Sequence, residues 1–209
     1  MNGKAELSDR ELCLVRLRFL DLAKSFFCTQ PDGEMIGRWR GIFAALGGEQ
    51  TSESLDKAVA ELAATLDECD LQDLKDEYYD LFVNPYSKEL LPLNGSYHLD
   101  GRSFGPSLVK YRQLLKDSQL IKDPEITESE DSLEVMLDTL ATLVREEKNG
   151  NEMSRHFQDR LLTEFLQPTV KELTGRVQKN SRAGFYRQCI AFVDAYLELE
   201  NGLVETGKV

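Results

Sequence analysis

Apolar residues recur along most of this chain at intervals of three and four, the spacing that keeps side chains on one face of an α-helix. Leu12, Val15, Leu17, Phe19, Leu20, Leu22, Phe26 and Phe27 give a face broad enough to predict a central first helix, and Ser8 with Glu11 supplies its capping box. Gln30-Pro31-Asp32-Gly33 breaks it. Met35, Ile36, Trp39, Ile42, Phe43 and Leu46 mark a second helix stopped by Gly47-Gly48. Ser52 opens a third through Leu55, Val59, Leu62 and Leu66, and Asp70 a fourth through Leu74, Tyr78, Leu81 and Phe82. Pro106 suits the first turn of a fifth, with Leu108, Tyr111, Leu114 and Leu115. Leu133, Met136, Leu137, Leu140 and Val144 form a sixth, ended by Asn149-Gly150. A seventh, through Phe157, Leu161 and Phe165, meets Pro168, which should bend or split it. In the last helix Phe185, Cys189, Phe192, Tyr196 and Leu199 step by 4, 3, 4 and 3. No hairpin or βαβ pattern interrupts the series. The prediction is all-α: one domain, a helical bundle of about eight helices.

One stretch departs from this rhythm. Between the fourth and fifth helices, about 22 residues are punctuated by Pro85, Pro92, Gly95, Gly101, Gly105 and Pro106. They also carry Tyr86, Leu90, Leu91, Leu93, Tyr97, Leu99 and Phe104, more apolar groups than a solvated linker holds. The expectation is a long ordered loop at 84–106, set between N-terminal helices (1–83) and C-terminal helices (107–209), that forms one wall of a binding site.

Charge narrows the partners. With 25 basic and 37 acidic residues the net charge is −12, which repels a phosphate backbone and disfavours nucleic acid as a partner, while favouring cationic ones. The first residues carry acids and no apolar core, so no secretory signal is expected. Nowhere do 18 apolar residues run together, so no stable membrane insertion is expected either. Cys13, Cys28, Cys69 and Cys189 are scattered among helical apolar residues and read as reduced core thiols, in keeping with a cytoplasmic home. His98 and His156 have no second ligand at metal spacing. The signatures of P-loops, zincins, dinucleotide folds and nucleophile elbows are absent. The expectation is a protein that is not an enzyme, with no metal and no cofactor.

Four stretches carry a resemblance. Glu77-Tyr78-Tyr79-Asp80-Leu81-Phe82 with Pro85 resembles the E-(aromatic)-x-x-L-F…P signature of the TorD/DmsD/NarJ family of molybdoenzyme maturation chaperones. The segment from Pro92 through Asn94, Ser96 and His98 to Asp100 is similar to that family's P-P-(aromatic)-x-S-V-(aromatic)-L segment. Asp131-Ser132-Leu133 through Asp138 resembles its D-H-L…E-L segment, and Gly184-Phe185-Tyr186-Arg187 its C-terminal F-Y-R helix. Asn94 and His98 stand where the family carries aromatic residues, Ser132 where many members carry histidine, and Leu93 in place of the second proline.

The resemblance implies a cytoplasmic chaperone that binds the N-terminal or twin-arginine signal segment of an apo-molybdoenzyme catalytic subunit. Export or assembly is then prevented until molybdenum cofactor is inserted. The residues expected to line the peptide-binding groove are Tyr78, Leu81 and Phe82 from the fourth helix, Pro92, Ser96 and His98 from the loop, and Asp131 and Ser132 across from them. An apolar groove with an acidic rim would suit such a segment. Leu81 and Phe82 point about 100° apart on a helix, so at least one should pack in the core. Asp131 could equally cap the sixth helix, and His98 could satisfy a loop carbonyl. An acidic helical adaptor of another pathway is the alternative, and either a monomer or a domain-swapped dimer is compatible with the pattern.

Overall fold

Polar caps set where the helices begin. In the computed structural model, which describes residues 8–206, Ser8 and Glu11 form a reciprocal capping box at the start of α1 (Asp9–Ser25). Asp32 caps α2 (Gly33–Leu46), Ser52 caps α3 (Glu53–Glu68), and Asp70 with Asp73 forms a second box at α4 (Leu71–Tyr78). The chain continues through α5 (Gly95–Asp100), α6 (Pro106–Asp117), α7 (Leu133–Lys148), α8 (Met153–Leu161), α9 (Gln167–Val177) and α10 (Phe185–Thr206). Residues 1–7, on which the reading of a leaderless N-terminus falls, lie outside the described residues.

Among the described residues the expected eight helices become ten, for two local reasons. The interrupted loop contains α5, six residues long and too short to show a periodicity. The seventh helix is divided where Pro168 demands it: the π-helical turn Leu162–Leu166 lies between α8 and α9, with Gln167 N–H bonded to the Leu162 carbonyl. That wider turn makes room for a ring that would otherwise strike the carbonyl four residues back. A second π-helical turn, Tyr79–Val83, prolongs α4, and Asn84 N–H closes it on the Tyr79 carbonyl at 2.8 Å.

The core is built around α10, which lies along α3 and α9, while α1 runs along α7. Phe26, Trp39, Phe185 and Phe192 interlock, with Phe26 to Trp39 at 5.3 Å and Trp39 stacked on Phe185 at 5.6 Å. Trp39 is a core residue, and its indole N–H donates to Ser25 Oγ at 2.9 Å. Cys13 and Cys189 are buried as expected, whereas Cys28 is exposed and Cys69 half-buried, because both fall at helix ends rather than on a buried stripe.

One part of the core is ionic. Arg16 of α1 donates from Nε to both Glu200 oxygens (3.2 and 3.0 Å) and from one terminal nitrogen to Glu200 Oε2 at 2.8 Å and to Gln158 Oε1 at 2.6 Å. Tyr196 hydroxyl donates to Glu200, and Gln158 Nε2 donates to Glu147 at 2.8 Å. Burial alone would lower the Arg16 pKa, but the Glu200 carboxylate overcomes it and raises it. The network fastens α1, α7, α8 and α10 together.

Candidate functional site

The end of α4 carries two kinds of side chain. Leu81 is fully enclosed and Tyr78 nearly so, with its hydroxyl donating to the Phe27 carbonyl at 3.1 Å. Phe82 is half-buried in an aromatic corner, 5.3 Å from Tyr78, 5.0 Å from Tyr186 and 6.0 Å from Phe27. The π turn rotates Tyr79 and Val83 outward, and both are exposed. Burial pushes the Tyr78 phenol up to about 12.

Glu77, one turn earlier, explains why the α4 signature and the Gly184-Phe185-Tyr186 stretch go together. Its carboxylate accepts the backbone N–H groups of Gly184 (2.9 Å), Phe185 (3.1 Å) and Tyr186 (2.8 Å), the orphan donors at the start of α10. Burial raises the Glu77 pKa, and the three N–H bonds and Arg187 oppose that rise. Its spacing from Leu81 and Phe82 is legible in the sequence. Its partner, more than 100 residues away, is not.

The loop residues converge with the start of α7. Asn94 and Ser132 face each other in an isolated antiparallel bridge, and Leu133 N–H donates to the Leu93 carbonyl at 3.0 Å. Gly95 N–H donates to the Asp131 carbonyl and Ser96 N–H to Asp131 Oδ2, each at 2.7 Å. Asp131 is therefore not the cap of its own helix; it caps α5 from across the chain, while Ser132 stands at the α7 N-cap with no side-chain cap bond. Gly95 has to be small here, since a Cβ would lie 3.2 Å from Thr169 Oγ1 and 3.3 Å from the Asp131 carbonyl. Ser96 is fully buried and its hydroxyl accepts Phe104 N–H at 3.0 Å. His98 Nε2 lies 2.7 Å from the Pro92 carbonyl, which can only accept, so this nitrogen carries the proton and buried Nδ1 has no partner. Burial lowers the His98 pKa.

Of the eight expected groove residues, Ser96, His98, Asp131 and Ser132 are thus buried in this polar seam, Tyr78 and Leu81 in the core, and Pro92 and Phe82 are half-buried. Pro92 borders a shallow depression of about 180 Å³ that also touches Lys88, Leu90, Tyr97, Arg176 and Lys179. A second of about 460 Å³ adjoins it at Glu172, Gly175, Arg176 and Lys179. The rim at this end mixes Lys88, Arg176 and Lys179 with Glu89 and Glu172, in place of the acidic rim expected. Lys88, Arg176 and Lys179 make no ion pair among the described residues, and Arg176 rests over the Tyr97 ring at 5.1 Å. Glu134 and Glu128 add to the rise of the Tyr78 phenol pKa that burial causes. One Glu134 carboxylate oxygen is buried without a hydrogen-bond partner, and burial raises that pKa.

Among the described residues no three His, Cys, Asp or Glu side chains converge as metal ligands, and no helix is long and apolar enough to cross a membrane. The model of the family described as the nitrate reductase delta subunit matches residues 49–174. Among solved structures, a candidate redox enzyme maturation protein from Archaeoglobus fulgidus shares the fold, with a TM-score of 0.51 and 17% identity over 94% of this chain and 99% of that one. No curated protein matches the sequence. The family match takes in more than half of the chain, including the α4 signature, the loop and the Asp131-Ser132 seam, and the chain belongs to the nitrate reductase delta subunit family, the NarJ/TorD-type redox enzyme maturation chaperones.

Proposed function

We propose that this chain acts in the cytoplasm on the apo catalytic subunit of a molybdopterin oxidoreductase, holding its N-terminal segment until molybdenum cofactor is inserted. The segment docks where the end of α4 meets the loop, against half-buried Phe82 and Pro92, over a seat built by the enclosed Tyr78, Leu81, Ser96, His98, Asp131 and Ser132. The observation that carries this reading is convergence: the loop joins the end of α4 through Leu91 N–H to the Leu81 carbonyl, and the start of α7 through Leu133 N–H to the Leu93 carbonyl and the Asn94–Ser132 bridge. The same part of the chain leaves Tyr79, Val83, Tyr86 and Leu90 exposed, Tyr86 at 92%.

Magnitudes order the interactions. Each leucine-like client side chain that is buried contributes about 1.5–3 kcal/mol before ordering costs, against about 0.2–1 kcal/mol for an exposed ion pair. Affinity therefore comes from apolar contact, and charge sets orientation. A client arginine belongs near Glu128 and Glu134. It is disfavoured at the Lys88, Arg176 and Lys179 end.

The test is mass spectrometry of what the tagged full chain retains in its native host. A molybdopterin oxidoreductase subunit is expected, and Tyr86→Ser with Leu90→Ser should reduce its recovery. Reproducible retention of an unrelated partner in its place would favour the adaptor and overturn the reading.

A further inference from the structure

After two turns over residues 84–89, residues 90–94 cross the end of α4 as a short extended strap. Leu91 N–H donates to the Leu81 carbonyl at 2.7 Å, and Leu133 N–H donates to the Leu93 carbonyl at 3.0 Å. Leu91 is buried and Leu93 packs against the core, two apolar residues at i and i+2, the spacing that puts both on one face of an extended chain. Pro92, between them, has no N–H to leave unpaired. The strap is held as a bound peptide is held on a sheet edge, by main-chain bonds and alternate apolar side chains. Its seat is imperfect. His98, which bonds the strap at Pro92, has a buried Nδ1 without a partner, as does Thr169 Oγ1 beneath Gly95. Just before the strap, the chain is tied to residues 180–181, by Asn180 Nδ2 to the Glu89 carbonyl at 2.8 Å and by long bonds from Ser181 to the Glu89 carboxylate.

We propose that the strap is an internal stand-in for the client: Leu91-Pro92-Leu93 fills the seat that an extended client segment, apolar at i and i+2, takes when the strap lifts away. This rests on the chaperone reading above and adds to it how the segment is recognised and why the docking residues are covered. The client donates an N–H to Leu81, receives one from Leu133, and seats two side chains where Leu91 and Leu93 were. Because the seat is open only while the strap is off, the strap lowers the apparent affinity by the fraction of time it stays down.

The test uses the full chain with Leu93→Ala to weaken the strap, and with Asn94→Cys and Ser132→Cys, the pair that faces across the bridge, in a Cys28→Ser background. The probe is a fluorescein-labelled synthetic peptide of residues 88–95, Lys-Glu-Leu-Leu-Pro-Leu-Asn-Gly. Reduced protein should bind the probe at least about tenfold more tightly than the unaltered chain, and oxidised protein should bind none until reductant is added. Equal binding by both forms, or no binding by the reduced form, overturns the strap proposal; Asn94→Cys and Ser132→Cys without Leu93→Ala decides the matter if the weakened chain does not fold. Host pull-down with the same proteins separates the two ideas. Loss of the oxidoreductase subunit from both forms counts against the chaperone reading, and retention by both counts against the strap alone.

Discussion

Two regions of this molecule are both closed to solvent, and they are closed by different means. Where α1, α7, α8 and α10 meet, a buried arginine and glutamate are surrounded by matched donors and acceptors, and the apolar side chains around them interlock. Where the strap crosses α4, a handful of main-chain bonds and two leucines hold a segment with unpartnered polar atoms beneath it. The first arrangement resists change because any loss leaves a buried charge alone. The second gives up little when it opens, since its donors and acceptors can be matched again by another backbone.

The largest effect should come from breaking the saturated region. Arg16→Met leaves Glu200 buried without its counter-charge and should cost about 3–5 kcal/mol in chemical denaturation, lowering the unfolding midpoint of the whole chain. Glu77→Ala should rank next, at about 2–3 kcal/mol, because it strands the N–H groups that open α10; near-native stability would mean that water replaces the carboxylate there.

Acidification should loosen the strap. The folded His98 pKa lies below the ordinary 6.5 through burial, with Arg176 adding to the fall and the Pro92 bond and Glu172 opposing it. The unfolded ring therefore takes its proton first as pH drops. Stability from neutral His98 is complete above about pH 6.5 and is lost as pH falls toward the folded value. Hydrogen exchange at the Leu91, Gly95 and Ser96 amides, corrected for intrinsic rates, should speed up severalfold between pH 7 and 5.5 while amides of α10 hold. His98→Ala should abolish that difference.

The smallest effect has the opposite sign. The folded Glu134 pKa is raised by burial, so what this group contributes is present below its unfolded value and lost as pH rises through the folded one. At pH 7 Glu134→Gln should therefore stabilise, by under about 1 kcal/mol. It should also weaken capture of an arginine-bearing client segment, a sign that the carboxylate is kept for binding at the expense of stability.

Much of the helical body is legible in the order of residues alone. Ser8, Ser52 and Asp70 read as helix starts because a cap is a local event, settled within three residues. Pro168 announces a division of its helix, though not the π turn that achieves it, since periodicity does not separate π from α over five residues. The helix α5 escapes because what stabilises it, Asp131, lies 35 positions away. The candidate site is harder to read. Periodicity tells which face of α4 is apolar, and Leu81 and Tyr78 lie on it; only the fold shows that the chain's own Leu91 and Leu93 cover that end. The mixed charge of the rim escapes for a related reason. Net charge is a sum over the whole chain, and Lys88, Arg176 and Lys179 come together only through folding.

The placement of α10 has a consequence for how the protein comes into being. Ribosomes deliver α10 after every element it packs against, and until it arrives Phe26, Trp39 and Phe43 lack the partners that Phe185 and Phe192 provide. A nascent chain halted before residue 184 would expose a large aromatic surface, and the three amides awaiting Glu77 would not yet have been made. A member of a chaperone family is thus, through most of its own translation, an unfinished polypeptide with an open aromatic core.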